Sequence, residues 1–114
     1  MFKVINIENK AIPMKADGLT GRLYARYFGK DFISTFVKLR NLQNGGDADT
    51  GLFDELAWVL AKSANADIPD IDEWLSQFNS PFSIFQKSKE IMAVVDKSFN
   101  VSVNPKKKKK EKKK

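Results

Sequence analysis

The sequence contains no cysteine and no histidine, and these absences exclude much of the chemistry that small proteins perform. Without cysteine there are no disulfides and no thiolate metal sites, and a reducing cytoplasm is the expected compartment. Without histidine the chain lacks the commonest general base and the commonest metal ligand. No apolar run approaches the roughly 20 residues of a membrane span, and the N-terminus has no signal-peptide pattern. We therefore expect a cytoplasmic protein that is not an enzyme and has no metal, cofactor or membrane segment.

The positive charge is concentrated in the last nine residues, KKKKKEKKK at 106–114. This segment carries a net charge of +7, and subtracting it from the formal +6 of the chain leaves −1 on residues 1–105. The pI near 9.6 therefore describes the tail and not the body. Poly-lysine without interleaved aromatic residues cannot stack bases, so no specific nucleic-acid recognition is expected. A salt-sensitive association of the tail with nucleic acid is the alternative function that the charge leaves open.

The rest of the chain has the composition of one globular domain, with 42% hydrophobic residues and nine phenylalanines. We predict a single domain at 1–100 and a disordered Lys-rich tail at 101–114. Residues 2–15 alternate around a polar turn at Glu8-Asn9-Lys10, which predicts a β-hairpin whose Pro13 restricts the second strand to an edge.

Helical periodicity follows the hairpin. Gly29 fits the residue after a first helix, Asp31 begins a second, and a third spans about 51–64. Asp70 and Glu73 have the spacing of a helix N-cap, and Ser80-Pro81 suggests the start of a last helix. The fold class is mainly α: a small bundle of about five helices with an N-terminal β-hairpin and a disordered basic tail.

Trp58 does not lie on the apolar stripe of the third helix but between Asp54 and Lys62 on its polar side. It either packs against the hairpin or the fourth helix, with the Lys62 stem over its ring, or serves as an exposed anchor for a partner. The carboxylate pair Asp54/Glu55 would need a cleft to act in acid–base chemistry.

The chain resembles the tail assembly chaperones of long-tailed phages and prophages of Gram-positive bacteria. The resemblance rests on an "LYxxxFGKD" motif at 23–31, an "LAYVMAK"-like helix at 56–62 and an "EWLxxF" helix at 73–78, with a weaker "NGK"-like match at Glu8-Asn9-Lys10. Together the segments cover most of residues 5–95, and Trp58 stands where a Tyr is usual.

The resemblance implies that the protein binds the tape-measure protein, a very long helical chain, keeps it soluble and helps to recruit tail-tube subunits. It implies action in the host bacterial cytoplasm and absence from the mature virion. It also implies self-association and a second product, made by a −1 ribosomal frameshift, that contacts the tail-tube protein. Because lysine codons are A-rich, the codons for the first five lysines of the tail are where such a slip is expected: Lys106, Lys107, Lys108, Lys109 and Lys110.

A small helical domain can cover an amphipathic helix with an aromatic-lined groove. Five aromatic residues are the candidates for contacting the partner: Trp58, Trp74, Phe78, Phe82 and Phe85.

Overall fold

A β-hairpin followed by six helices makes up the described part of the chain, which in this computed structural model is residues 2–43 and 50–102. The mainly α class with an N-terminal hairpin is confirmed, with six helices among these residues instead of about five. In chain order the elements are β1 Phe2–Ile7, β2 Lys10–Lys15, α1 Thr20–Phe28, α2 Phe32–Gln43, α3 Thr50–Ala64, α4 Ile71–Leu75, α5 Ser83–Gln86 and α6 Ser88–Ser102.

The hairpin turns at Glu8 and Asn9, whose φ angles are +54° and +69°. Two consecutive left-handed residues are what a two-residue type I′ turn requires, and this turn matches the twist of the flanking strands. The antiparallel register places Ile5 opposite Ile12 on the face that the helices cover. Ile5, Ile7, Ile12 and Met14 are all buried, so this face of the hairpin is one wall of the core.

The ends of the first two helices are fixed by local polar chemistry. Gly29 follows α1 with φ +65°, and its N–H donates to the carbonyl of Ala25 at 2.8 Å, as predicted for that glycine. The Asp31 carboxylate accepts the N–H of Ser34 at 2.8 Å and thereby satisfies a free donor at the start of α2.

Helix α3 is the centre of the fold, since β2 and helices α1, α2, α4 and α5 all contact it. Its buried residues lie on several sides and not on one stripe: Leu52, Phe53, Leu56, Ala57, Trp58, Val59, Leu60 and Ala61. A helix that is covered on several sides cannot show a single apolar face in its sequence.

Helix α4 begins as predicted, because the Asp70 side chain accepts the N–H of Glu73 at 3.0 Å. The α-helical part ends at Leu75, earlier than the apolar pattern suggested. The Phe78 N–H bonds to the Leu75 carbonyl at 3.1 Å, an i→i+3 bond that tightens the last turn. The Gln77 side-chain amide also caps the Trp74 carbonyl at 2.8 Å.

The predicted start of a last helix at Ser80-Pro81 is wrong. The Ser80 hydroxyl accepts the N–H of Phe82 at 3.0 Å in a local turn, and α5 starts only at Ser83. The single predicted helix is in fact two, because Lys87 interrupts it with φ −104° and ψ 17°. This break lets α5 pack on α3 while α6 packs on β1.

Two predicted segments lie wholly or largely outside the described residues. Residues 44–50, NGGDADT, predict a loop, but of these only Thr50, where α3 begins, is described. Of the predicted tail, residues 101 and 102 belong to α6, so this helix crosses the predicted boundary at residue 100. The lysines from Lys106 to Lys110 fall in the part that the structure does not describe.

Candidate partner-binding groove

A groove of about 360 Å³ opens between α3, α4 and α5. Its apolar walls come from Leu75, Phe78, Pro81 and Ile84, and Asp54 of α3 lies among them. Asn79 and Ser80 complete the lining through the segment that joins α4 to α5. The groove therefore combines apolar walls with polar groups, among them one carboxylate.

The hairpin turn holds one wall of this groove in place. The Glu8 carboxylate accepts the backbone N–H of Asn79 at 2.8 Å and that of Ser80 at 3.0 Å, and it also accepts the Ser83 hydroxyl. The Ser83 hydrogen bond, followed by the two backbone hydrogen bonds, lowers the pKa of Glu8. A residue of the turn thus fixes a segment more than seventy positions later in the chain.

Phe78 connects the groove to the core beneath it. Its ring lies 5.4 Å from that of Trp74 at an interplanar angle of 82°, an edge-to-face arrangement. The Lys10 ammonium stands 5.8 Å from the centre of the Phe78 ring. Trp74 is only 4% exposed, so it supports Phe78 and presents almost no surface of its own.

Two further phenylalanines are exposed next to residues of the groove. Phe82 follows Pro81 and is 58% exposed, and Phe85 follows Ile84 and is 38% exposed. The Phe85 ring packs edge-to-face on the buried Phe53 at 5.5 Å, which fixes its position on the surface. Of the five predicted aromatic candidates, Phe78 lines the groove, and Phe82 and Phe85 are exposed residues that each directly follow a lining residue in the chain.

Trp58 lies elsewhere and inside the protein, with 2% of its surface exposed. Its Nε1–H donates to the Pro69 carbonyl at 2.9 Å, and the rings of Tyr27 and Phe28 meet it edge-to-face at 4.9 and 5.7 Å. The Lys62 ammonium lies 5.7 Å from its ring centre. Trp58 is packed with Lys62 over its ring, but the rings that contact it belong to α1 and not to the hairpin or the fourth helix. It offers almost no surface to a partner in this conformation.

The two neighbouring acids of α3 differ in their surroundings. The Glu55 carboxylate accepts the Tyr24 hydroxyl at 2.8 Å and pairs with the Lys30 ammonium at 3.0 Å. The half-buried carboxylate of Asp54 has no hydrogen-bond or ion-pair partner among the residues that the structure describes. Burial, and secondarily the charge of Glu55, raises the pKa of Asp54.

Sequence reasoning missed the roles of Asp54 and Glu8. Asp54 was noted only as one of a carboxylate pair that would need a cleft. The available signal was Trp58, four residues later on the same side of the helix, which shows that this side is also covered. Nothing local marks Glu8, because its partners are distant in the chain.

A larger groove of about 470 Å³ lies between β2, α3 and α4. Polar side chains on its wall are already engaged: the Gln77 amide with the Trp74 carbonyl, and the Ser76 hydroxyl with the Glu73 carbonyl. Of the five aromatic candidates, the buried Trp74 lines this groove, whereas the more exposed Phe78 lines the smaller one. It is therefore the weaker candidate for a protein partner.

Among residues 2–43 and 50–102, no group of three or more carboxylate side chains is placed to hold a metal ion. In the same ranges no helix combines the length and the apolar character needed to cross a bilayer. Comparison of the chain with protein-family models gives no match, and comparisons with curated proteins and with solved structures give none either.

Proposed function

We propose that this protein is a tail assembly chaperone of the long-tailed phages and prophages of Gram-positive bacteria. In this role it binds the tape-measure protein, keeps it soluble and helps to recruit tail-tube subunits in the host cytoplasm. The sequence support is the ordered series of motifs at 23–31, 56–62 and 73–78. The structural observation that carries the proposal is the groove with apolar walls from Leu75, Phe78, Pro81 and Ile84, together with the exposed Phe82 and Phe85 on the same stretch of chain.

An apolar groove flanked by exposed aromatic residues suits an amphipathic helix. Such a helix presents apolar side chains at i, i+3, i+4 and i+7, and these aggregate unless another surface covers them. Aromatic side chains bring large apolar area with little loss of rotamer freedom, and for this reason they are enriched where proteins bind each other. Phe82 and Phe85 provide this area, and Phe78 provides an apolar wall.

The size of the groove bears on how a long target would be covered. One turn of an α-helix is about 10 Å wide and 5.4 Å long, which corresponds to roughly 400 Å³. A groove of about 360 Å³ therefore accepts the side chains of about one turn. Covering a long helical chain would then require many copies, in keeping with a chaperone that coats its client.

The test is co-expression with the tape-measure protein of the same genome, followed by measurement of the soluble, co-purifying fraction. We expect the unmodified chain to keep the client soluble and the double variant Phe82→Ser/Phe85→Ser to lose most of this effect. The matched control is Ile33→Ser/Val37→Ser on α2, because these residues are similarly exposed, at 49% and 51%, and do not line the groove. This control should retain client solubility.

If the unmodified chain leaves the client insoluble and unbound, the proposed function is wrong. Equal losses in the two double variants would mean that the groove is not the client site. The alternative function predicts instead that nucleic acid binds with a steep salt dependence and that deletion of 106–114 abolishes this binding.

A further inference from the structure

Asp54 is unusual because it combines partial burial, apolar neighbours and the lack of a partner among the described residues. An ionised carboxylate can only accept hydrogen bonds, and several lone pairs remain unused here. Its neighbour Glu55 shows that the same helix can satisfy an acid fully when the fold supplies donors. Asp54 thus has an acceptor that no described residue engages, in a groove whose walls include Leu75, Phe78, Pro81 and Ile84.

The shape and charge of the site together restrict what fills it. A metal ion needs several oxygen ligands, and no such group of side chains occurs in the described ranges. A purely apolar helix face would cover the carboxylate without pairing it, which costs free energy. A lysine or arginine within an apolar helix face fits better, since its methylene stem packs on Phe78 and Leu75 while its head group pairs with the acid.

We propose that Asp54 selects the partner of this groove: an amphipathic helix with one lysine or arginine near the centre of its apolar face, whose cationic group binds the Asp54 carboxylate. This inference rests on the proposed function only for the identity of the helix as a segment of the tape-measure protein. The chemistry of the site holds for any amphipathic client.

The lysine tail of the same chain is a second source of cations, but its composition fits the groove less well. Residues 106–110 are all lysine and offer no apolar side chain for the walls formed by Leu75, Phe78, Pro81 and Ile84. A second copy of the protein would have to present a basic residue from an exposed apolar helix face, and Arg40, which follows Ile33 and Val37 on such a face of α2, is already paired with Asp96. We therefore assign the groove to an amphipathic partner helix.

The experiment uses synthetic amphipathic helices of about 18 residues, long enough to form helix in water when their composition is favourable. One peptide carries lysine at the centre of its apolar face, and its match carries norleucine, which keeps the stem and lacks the ammonium group. Dissociation constants are measured by calorimetry for the full chain and for Asp54→Asn. The full chain should prefer the lysine peptide by about tenfold, and Asp54→Asn should reduce this preference to about twofold or less.

Asp67→Asn is the charge-matched control, because Asp67 is exposed and does not line the groove. It should keep the tenfold preference, which separates pairing at Asp54 from a general effect of net charge. Asp54→Asn should unfold at a urea concentration no lower than the full chain, since it removes a half-buried charge and keeps the side-chain shape. Its loss of preference then cannot be attributed to misfolding.

Equal preference for lysine in the full chain and in Asp54→Asn would overturn the inference. A several-fold gain in affinity for the lysine peptide on deletion of 106–114 would also overturn it, because the tail would then be the occupant. Because the synthetic peptides contain no phage sequence, the outcome is independent of the co-expression test. If the client stays insoluble in the co-expression test but the preference for the lysine peptide is preserved, only the proposed function is rejected.

Discussion

Replacement of Trp58 by phenylalanine tests whether this aromatic residue stabilises the core or acts at the surface. The substitution keeps a ring against Tyr27 and Phe28 but removes two ring carbons and the Nε1–H that donates to Pro69. The lost carbons correspond to about 1.6 kcal/mol at ~0.8 kcal/mol each, and the lost hydrogen bond to about 1 kcal/mol. We therefore expect the free energy of unfolding to fall by about 2–3 kcal/mol.

The measurement is urea unfolding followed by far-UV circular dichroism, with the fluorescence of Trp74 as a second probe. The urea dependence of the free energy should not change, since the same surface is exposed on unfolding. The thermal midpoint should fall by roughly 10–20 °C for a domain of this size. Phe82→Ala is the comparison, and because that side chain is 58% exposed its effect on stability should stay within about 0.5 kcal/mol.

Binding supplies the second half of this test. At temperatures where Trp58→Phe is fully folded, its affinity for a client helix should equal that of the unmodified protein, whereas Phe82→Ala should weaken binding. A Trp58→Phe protein of unchanged stability and reduced affinity would refute the argument, because Trp58 would then act at the surface and not in the core.

Three further outcomes follow from local contacts. Asp70→Ala should lower the free energy of unfolding in urea by about 1 kcal/mol because the N–H of Glu73 loses its cap. Asp70→Asn keeps an acceptor and should have nearly the stability of the unmodified protein. Gly29→Ala should cost about 1–2 kcal/mol, since a Cβ is disfavoured at φ +65° although the space is open; an unchanged melting temperature would contradict this. Because the pKa of Glu8 is lowered in the folded state, its ionised carboxylate stabilises the fold at pH values above the ordinary glutamate pKa of about 4.3. This contribution disappears as the pH falls through the lower folded-state pKa. On acidification, the free energy of unfolding of Glu8→Gln should fall less steeply with pH than that of the unmodified protein. The same pH dependence in both proteins would contradict a stabilising hydrogen bond between Glu8 and Ser83.

The features that sequence predicted correctly depend on a few neighbouring residues. Asn9 in the hairpin turn, Gly29 after α1 and Asp70 before α4 each satisfy a backbone requirement within four positions. The residue type at such positions indicates the local structure, because few side chains tolerate a left-handed backbone or can cap a helix. Element type and the starts of α2, α3 and α4 could therefore be predicted from the chain alone.

The features that sequence could not provide depend on tertiary position. The apolar stripe from Ile84 to Val95 reads as one helix, yet α5 and α6 have different packing partners and the backbone breaks at Lys87. Periodicity also cannot distinguish Phe36, which is buried, from Val37, which is 51% exposed on the same helix. Burial of an apolar side chain is favourable, but the arrangement of the neighbouring helices decides whether that side chain is buried.

The candidate groove shows both effects. One of the five predicted aromatic residues, Phe78, lines it, and Phe82 and Phe85 each follow a lining residue in the chain. Its walls, however, are positioned by Glu8, whose hydrogen bonds to Asn79 and Ser80 join segments that only the fold brings together. Trp58 was ambiguous for the same reason: its helix is surrounded on several sides, and one stripe of apolar residues reports on only one of them.

Asp54 links the stability of the free protein to the binding that we propose. Because the pKa of this carboxylate is raised in the folded state, its charged form opposes folding, and stability increases as the pH falls through that pKa. A half-buried charge that has no partner among the described residues therefore weakens the free domain at neutral pH. Binding of a cation would remove this cost and make the interaction dependent on charge. An asparagine at this position would give a more stable protein with less discrimination between clients, which is the compromise expected where a residue serves recognition at the expense of folding.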